Sequence, residues 1–260
     1  MTAGRLDGIE TVLLDLDGTL YVGSKVVDGA PGAVRWLRER GLAVRFCTNT
    51  DSVTPAELAE RLRGRGFPVD EEELVTPVAV AAQLLGSDQE ARVLAVAAEE
   101  VRELLADRLA GAGERATHVL VADPSYGAAY DDLDAAFRAV RDGAELWATQ
   151  VNRVAVRDDG EHLDTGGWVR LLEYATGATA RVLGKPSPAF FTAPLEALGR
   201  DPATALVVGD DLEADIGGGS AVGAATVLVR TGKGDPPPGG DVEPDAVVDS
   251  VADLPDLLRS

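Results

Sequence analysis

The chain has 260 residues, of which 45% are hydrophobic, and its 24 Lys and Arg against 44 Asp and Glu give a formal net charge of −20. This length fits one large domain or two modest ones, and the apolar content is high enough for a packed core rather than a disordered chain. The strong negative charge, with lysine only at Lys25, Lys185 and Lys233, excludes a surface built to wrap nucleic acid or to bind anionic lipid.

Cysteine content and the N-terminal sequence indicate where the protein resides. Cys47 is the single cysteine, so an intrachain disulfide and a CxxC metal site are excluded. Asp7 and Glu10 lie where a signal peptide has its apolar run. No apolar stretch approaches the roughly 20 residues that span a bilayer. We therefore expect a soluble cytoplasmic protein without nucleic-acid or membrane partners.

Short apolar runs alternate with helical patterns along the chain, which is typical of a parallel sheet covered by helices and predicts an α/β fold. In chain order, strands are predicted at residues 11–14, 42–47, 92–97, 118–122, 146–151, 205–209, 225–229 and 246–248. Helices are predicted at residues 33–40, 55–65, 99–109, 131–141, 167–176 and 251–258, and hairpins at 21–28 and at 153–163, turning at 158–160.

The middle of the chain, residues 77–183, is predicted to form a second α/β unit. No glycine-rich linker separates it from its neighbours, so we interpret it as an insertion into a core domain made of residues 1–76 and 184–260. The Pro- and Gly-rich segment at residues 234–244 is predicted to be a surface loop, because a strand pattern and a helical pattern still follow it.

The sharpest chemical signal is the run of residues 15–20, DLDGTL, directly after an apolar strand. Ligands bind outside the carboxyl ends of parallel strands, so Asp15 and Asp17 emerge where chemistry is expected. Two carboxylates two residues apart repel each other unless a cation or a proton lies between them, which indicates a divalent metal. The alternative is a solvated acidic turn.

A second acidic cluster, GDDLEAD at residues 209–215, also follows an apolar strand. Oxygen ligands from Asp15, Asp210 and the backbone carbonyl of Asp17, completed by water, suit Mg²⁺ rather than zinc. Asp211 has a simpler explanation, since an acidic residue there favours the N-terminus of a following helix.

Two further polar elements follow the same pattern. Thr48 and Asn49 come just after an apolar strand, where hydroxyl, amide and backbone N–H groups can hold phosphoryl oxygens, although Thr-Asn-Thr is also an ordinary turn composition. Lys185 lies between Gly184 and Pro186 and is a candidate charge partner, or else a solvated loop lysine.

In this order, DLDGTL, TNT, GKPSP and GDDLEADI resemble the motifs of the haloacid dehalogenase-like hydrolases, and the match covers nearly the whole chain. The long insertion between Thr50 and Lys185 resembles the α/β cap of class IIA, the branch with the NagD-like, 4-nitrophenyl and pyridoxal phosphatases. The runs LEYATG and LVRTGKG are similar to the phospholysine phosphohistidine inorganic pyrophosphate phosphatase-like branch. The resemblance implies a Rossmann-like core domain with an inserted cap domain.

The resemblance also implies a chemical reaction, the Mg²⁺-dependent hydrolysis of a small soluble phosphate monoester. Asp15 attacks phosphorus to form an aspartyl-phosphate, and Asp17 acts as general acid and then as general base. Thr48, Asn49 and Lys185 hold the phosphate, and Asp15, Asp17 and Asp210 hold the metal. Asp215, together with Asp211, orients the water molecules around that metal.

The cap sequence departs from the family pattern, so the substrate is not carried over from any relative. The candidate residues for selecting the leaving group are Gln150, Asn152, Asp164 and Trp168, although an aromatic residue beside a helical apolar pattern is more often part of a core. The family also implies homodimers formed through the cap. Two other functions remain open: a dehalogenase of the same fold, which has no need of Asp17, and a non-enzymatic module that binds phosphate or metal.

Overall fold

The computed structural model describes residues 5–123, 128–157, 160–233 and 242–259. The turn at 158–159 and most of the loop proposed at 234–244 lie outside these residues. Up to residue 75 the elements are β1 (Thr11–Asp15), β2 (Tyr21–Val22), β3 (Lys25–Val26), α1 (Ala30–Glu39), β4 (Ala43–Cys47), α2 (Pro55–Gly64) and β5 (Leu74–Val75).

The following stretch alternates helices and short strands as far as residue 182. Its elements are α3 (Pro77–Ser87), β6 (Val93–Val96), α4 (Glu99–Leu104), β7 (His118–Val121), α5 (Tyr130–Arg141), β8 (Glu145–Ala148), β9 (Val154–Arg157), β10 (Gly160–Leu163), α6 (Thr165–Thr176) and β11 (Arg181–Val182).

The last part of the chain returns to longer buried strands. Its elements are α7 (Pro188–Ala197), β12 (Ala205–Gly209), a π-helix (Leu212–Gly217), α8 (Gly218–Ala221), β13 (Ala225–Val229), β14 (Ala246–Val248) and α9 (Leu254–Leu257). Short 3₁₀-helices occur at Glu71–Glu73, Ala106–Arg108, Pro202–Thr204 and Val251–Asp253. In the described part of the chain no helix is both long and apolar enough to cross a membrane.

The described residues group into two compact units. The first contains residues 5–48, 55–75, 185–233 and 242–259, and the second contains 49–54, 76–123, 128–157 and 160–184. The chain passes from the first unit to the second after residue 48, returns at residue 55, and passes over and back again at residues 76 and 185.

The first unit is built on a six-stranded parallel sheet with the order β14-β13-β12-β1-β4-β5. All residues of β1, β12 and β13 are buried, as expected for strands covered on both faces. Strand β1 lies in the middle, where Leu14 pairs with Val208 of β12 and Asp15 pairs with Cys47 of β4. This arrangement confirms the predicted α/β class with a parallel sheet.

The second unit has its own four-stranded parallel sheet, in the order β11-β8-β7-β6, and a separate antiparallel pair formed by β9 and β10. Its core is a cluster of buried side chains from β6, β7, β8, α5 and α6. Trp168 on α6 is partly buried and packs against this cluster, which agrees with the interpretation of this aromatic residue as part of a core.

Several element boundaries differ from the predicted ones. The helix expected at 33–40 begins at Ala30, because Pro31 favours its first turn. The helix expected at 99–109 ends at Leu104, where the Leu105 N–H donates to Arg102 O and a separate 3₁₀-helix follows. The strand expected at 146–151 ends at Ala148, and the side chain of Gln150 then accepts the backbone N–H of Asn152.

Candidate active site

Three neighbouring strands of the first sheet end in polar residues at their carboxyl ends. Asp15 is the last residue of β1, and Asp210 directly follows β12. Thr48 follows Cys47, the residue of β4 that pairs with Asp15. Because β12, β1 and β4 are adjacent and parallel, these residues reach the same edge of the sheet. Thr48 is buried, and its backbone N–H donates to Val75 O at 3.0 Å.

Lys185 lies at the centre of the acidic residues at this edge. Its ammonium Nζ donates to Asp15 Oδ1 at 2.5 Å and to Asp215 Oδ1 at 2.7 Å. All three side chains are at most 8% exposed. Such charge-assisted hydrogen bonds between buried groups are short and strong, so Lys185 fixes the relative positions of two acids that are 200 residues apart in sequence (215 − 15).

The negative charge at the site exceeds the positive charge. Asp15, Asp210 and Asp215 are all buried, and each offers an oxygen within 4.8 Å of those of the other two. Lys185 supplies one positive charge against these three carboxylates. Asp15 Oδ2 is buried and has no hydrogen-bond partner among the residues that the structure describes. A buried carboxylate oxygen without a partner is costly, so the site favours a bound cation or a proton.

Burial and mutual repulsion also set the titration of these groups. Burial raises the pKa of Asp15, and the Asp210 carboxylate adds to this rise, while Lys185 opposes it. Burial raises the pKa of Asp215 to about 6, against the opposing effect of Lys185. Burial alone would lower the pKa of Lys185, but the carboxylates of Asp15 and Asp215 outweigh it and raise that pKa, so the lysine stays charged.

The same residues meet the requirements of a divalent metal site. Carboxylate oxygens are the donors that hard cations prefer, and Asp15, whose Oδ2 has no partner among the described residues, belongs to the cluster. The haloacid dehalogenase-like resemblance places the metal on Asp15 and Asp210, and these two belong to the cluster. Asp215, expected to act on metal-bound water, lies in the cluster too and is held by Lys185.

Asp17 takes a different position from Asp15. Its side chain is exposed, and its Oδ1 accepts the backbone N–H of Gly23 at 3.2 Å. Gly23 lies in the turn between β2 and β3. These two strands pair in the antiparallel direction, as expected for the hairpin predicted at residues 21–28. The Asp17 carboxylate is therefore exposed to solvent, whereas the Asp15 carboxylate is buried.

Asp211 acts as a helix cap. Its Oδ1 accepts the backbone N–H groups of Glu213 and Ala214, both at 2.9 Å, at the start of the π-helix. Its Oδ2 is paired with the Lys233 ammonium. The backbone hydrogen bonds and Lys233 outweigh partial burial and lower the pKa of Asp211. The capping role offered by the sequence thus accounts for this residue.

Sequence reasoning used Thr231, Gly232 and Lys233 only as part of the run LVRTGKG in the family resemblance and gave this segment after β13 no role at the site. The Lys233 backbone N–H donates to Asp210 Oδ2 at 2.9 Å, and the Thr231 hydroxyl donates to Gly18 O at 2.5 Å. The signal was present, because these residues follow an apolar strand just as the other site residues do.

The cap candidates form a local network within the second unit. The Gln150 side-chain amide donates to Asp164 Oδ1 at 2.7 Å, and both residues are buried. Asp164 also caps α6 by accepting the Thr165 N–H at 2.7 Å. Asn152 is exposed and contributes its backbone N–H to Gln150.

Asp51 is a buried acid that sequence reasoning missed. It belongs to the second unit and is 4% exposed, and its Oδ2 accepts the hydroxyls of Thr149 at 2.5 Å and Thr165 at 3.0 Å. Burial raises its pKa to about 6, although both hydroxyls oppose the rise and Asp164 adds to it. Asn49, close by in sequence, also lies in the second unit, and its side-chain oxygen is next to Gly184.

Comparison with known proteins identifies the family of this chain. Residues 12–108 match the family model described as haloacid dehalogenase-like hydrolase, and residues 182–254 match a second model described as HAD-hydrolase-like. The phospholysine phosphohistidine inorganic pyrophosphate phosphatase of Xenopus laevis is 34% identical over 98% of this chain and 97% of its own length. The human haloacid dehalogenase-like hydrolase domain-containing protein 2 is 37% identical over 86% of this chain and 85% of its own.

A solved structure shows the same fold. The p-nitrophenyl phosphatase from Archaeoglobus fulgidus superimposes with a TM-score of 0.86 at 27% identity, covering 96% of this chain and 99% of that one. The likeness spans both units of the present chain.

Proposed function

This chain belongs to the haloacid dehalogenase-like hydrolases, and from that membership we propose that it is a Mg²⁺-dependent phosphatase that hydrolyses a small phosphate monoester through an aspartyl-phosphate on Asp15. The observation that carries the proposal is the buried cluster in which Lys185 holds Asp15 and Asp215 while Asp15 Oδ2 lacks a partner among the described residues. A site with this surplus of negative charge needs a cation before it can accept an anionic phosphate.

Asp15 is the nucleophile in this proposal. One of its oxygens forms a bond to phosphorus as the bond from phosphorus to the leaving oxygen breaks. Its hydrogen bond to Lys185 fixes the carboxylate at the strand end, so little orientation remains to be gained when the substrate binds. In the second step water attacks the same phosphorus atom and Asp15 is released.

Asp17 handles the protons of both steps. It donates a proton to the departing alkoxide in the first step and takes one from the attacking water in the second. Its exposure and its single hydrogen bond to Gly23 N suit a group that must change protonation state during the reaction. A dehalogenase of the same fold has no alkoxide to protonate, so the presence of Asp17 favours ester hydrolysis.

The metal ligands in this proposal are Asp15, Asp210 and the backbone carbonyl of Asp17. A bound Mg²⁺ would supply positive charge between the nucleophile and the phosphate, which would otherwise repel each other. Lys185, held by Asp15 and Asp215, is the positive charge that the chain itself provides. Thr48 and Asn49 are proposed to donate to the remaining phosphate oxygens.

We assign the choice of leaving group to the second unit, the cap of the proposed core-and-cap organisation. Gln150, Asn152, Asp164 and Trp168 remain its candidate residues. The substrate class is a small phosphorylated metabolite, in line with the phosphatase names of the relatives. Cytoplasmic location remains a prediction from the sequence, and dimerisation through the cap remains an implication of the family resemblance.

The test is the release of inorganic phosphate from p-nitrophenyl phosphate with and without Mg²⁺. We expect activity that EDTA abolishes and Mg²⁺ restores, no activity in Asp15→Asn, and a slow Asp17→Asn that still traps phosphate on Asp15. Asp88→Asn, which changes an exposed acid of the second unit, serves as the control. Activity that survives both EDTA and Asp15→Asn would overturn the proposal.

A further inference from the structure

Residues Thr231, Gly232 and Lys233, here termed the 231–233 loop, contact both strand-end loops of the candidate site. Thr231 Oγ1 donates to the backbone oxygen of Gly18, in the loop after β1. The Lys233 backbone N–H donates to Asp210 Oδ2, in the loop after β12. The 231–233 loop thus connects the segment that carries the proposed nucleophile to the segment that carries a proposed metal ligand.

The Asp210 carboxylate is enclosed on two sides by glycines. A methyl group added at Gly232 would lie 2.0 Å from Asp210 Oδ2, and one added at Gly18 would lie 2.3 Å from the same atom. Real Cβ atoms essentially never approach another atom so closely. Any side chain at either position therefore displaces the Asp210 carboxylate or the backbone that surrounds it.

The two glycines are needed for different reasons. Gly18 has a φ of 91°, which L-residues rarely adopt. Gly232 does not have a positive φ, so its φ is not the reason for glycine at this position. A methyl group there would also lie 2.7 Å from Gly18 Cα. Close approach to Asp210 and Gly18 is the reason for glycine at this position.

The hydrogen bond from Lys233 distinguishes the two oxygens of Asp210. Oδ2 is held by the 231–233 loop, and Oδ1 receives no hydrogen bond from this loop. The Lys233 ammonium, paired with Asp211 Oδ2, connects the loop to the residue that caps the π-helix. Asp215 lies on that helix, and its N–H donates to Asp211 O at 3.0 Å.

We propose that the 231–233 loop is a positioning element that holds Asp210 in its metal-binding orientation, with Gly232 the residue on which this depends most. The proposal rests on the proposed function, since it takes Asp210 as a metal ligand. Groups that orient metal ligands change metal affinity by about 10- to 100-fold when they are altered. We expect Gly232→Ala to weaken divalent metal binding by at least about 10-fold.

The experiment measures Mn²⁺ binding to the whole chain without substrate, from the electron paramagnetic resonance signal of free Mn²⁺. Gly64→Ala is the matched control, because an added methyl group there meets nothing within 4 Å. Gly232→Ala should bind Mn²⁺ at least about 10-fold more weakly than wild type, and Gly64→Ala should bind it as wild type does. Enzyme assays should show a raised Mg²⁺ requirement for Gly232→Ala, with kcat largely restored at saturating Mg²⁺.

The remaining outcomes overturn either the positioning role alone or the proposed function together with it. If wild type binds Mn²⁺ and Gly232→Ala binds it equally well, the positioning role is wrong while the proposed function stands. If wild type binds no Mn²⁺, the metal-dependent function fails, and the positioning role fails with it. Should Gly232→Ala not fold, as judged by its thermal unfolding, Thr231→Val replaces it. That variant removes the hydrogen bond to Gly18 without adding volume, and unchanged Mn²⁺ affinity in it would also overturn the role.

Discussion

Each unit contains a buried carboxylate cluster, and the two clusters differ in their hydrogen-bond partners. Around Asp15 in the first unit, Lys185 pairs with two of three clustered acids, and Asp15 Oδ2 has no partner in the described part of the chain. Around Asp51 in the second unit, two neutral hydroxyls satisfy the buried oxygen. Burial raises the pKa of both aspartates, so a shifted pKa alone does not distinguish a site of chemistry from a site of structure. The two clusters are distinguished by the surplus of carboxylates around Asp15 and by its Oδ2, which has no partner among the described residues.

The strongest test of this comparison removes Lys185, the cation that pairs with Asp15 and Asp215 in the first unit. Lys185→Met leaves buried carboxylates without their partner, and breaking a buried ion pair in this way costs about 3–5 kcal/mol of unfolding free energy. Phosphatase activity should fall by at least about 100-fold, because a fixed positive charge for the phosphate is lost. Urea unfolding and phosphate release measure the two effects.

Lys25→Met is the control for this variant, since Lys25 is exposed and should affect neither quantity. A Lys185→Met protein that is as stable as wild type would show that the first cluster is held together by other interactions than the ion pairs with Lys185.

A smaller effect is expected from Asp51→Asn, and its size depends on pH. Burial raises the pKa of Asp51 to about 6 in the folded chain, above the ordinary aspartate value of 3.8, so the native state keeps the proton longer than the unfolded state does. The contribution of Asp51 to wild-type stability should therefore fall as pH rises from 3.8 to 6. The Asn variant lacks this loss, so its stability relative to wild type should rise by about 2–3 kcal/mol from pH 4 to pH 7.

Denaturant unfolding at several pH values measures the difference between the two proteins. Asp107→Asn, at an exposed acid of the second unit, controls for the loss of a charge. A difference that does not change with pH would mean that Asp51 ionises as easily in the folded chain as in the unfolded one.

The smallest effect is expected in the network around Gln150. Gln150→Ala removes the amide that donates to the buried Asp164, so a buried acceptor loses one of its partners. The expected cost is about 1–2 kcal/mol of unfolding free energy, and Gln89→Ala, at an exposed glutamine of the same unit, should cost much less. Equal stabilities of the two variants in urea would contradict the structural importance of this contact.

Local patterns predicted the fold and the strand-end acids because those signals lie within a few residues of one another. The run at residues 15–20 follows a buried strand, and the same rule located Asp210. The partners of these residues were harder to predict. Lys185 was expected to hold phosphate, yet its bonds to Asp15 and Asp215 join residues 170 and 30 positions away. Nothing near Lys185 in sequence encodes such pairings.

The sequence did not predict the buried hydrogen bonds of Asp51 or the place of the 231–233 loop at the site, and the physical causes differ. Asp51 depends on hydroxyls 98 and 114 residues away, so no pattern around it distinguishes it from a solvated loop acid. The 231–233 loop does follow an apolar strand, but its composition is that of an ordinary turn. Its importance lies in how closely its backbone approaches Asp210, which only the fold reveals. The π-helix at Leu212–Gly217 was likewise predicted only as the start of a helix.

The central position of β1 has a consequence for how the enzyme loses activity. This strand pairs with a neighbour on each side, so its amide hydrogens should exchange with solvent only when the sheet opens as a whole. Fraying at the edge strands leaves the Asp15 carboxylate where it was. Inactivation by heat is therefore expected to follow collapse of the entire scaffold, and hydrogen–deuterium exchange at Leu13 and Leu14 would report its rate.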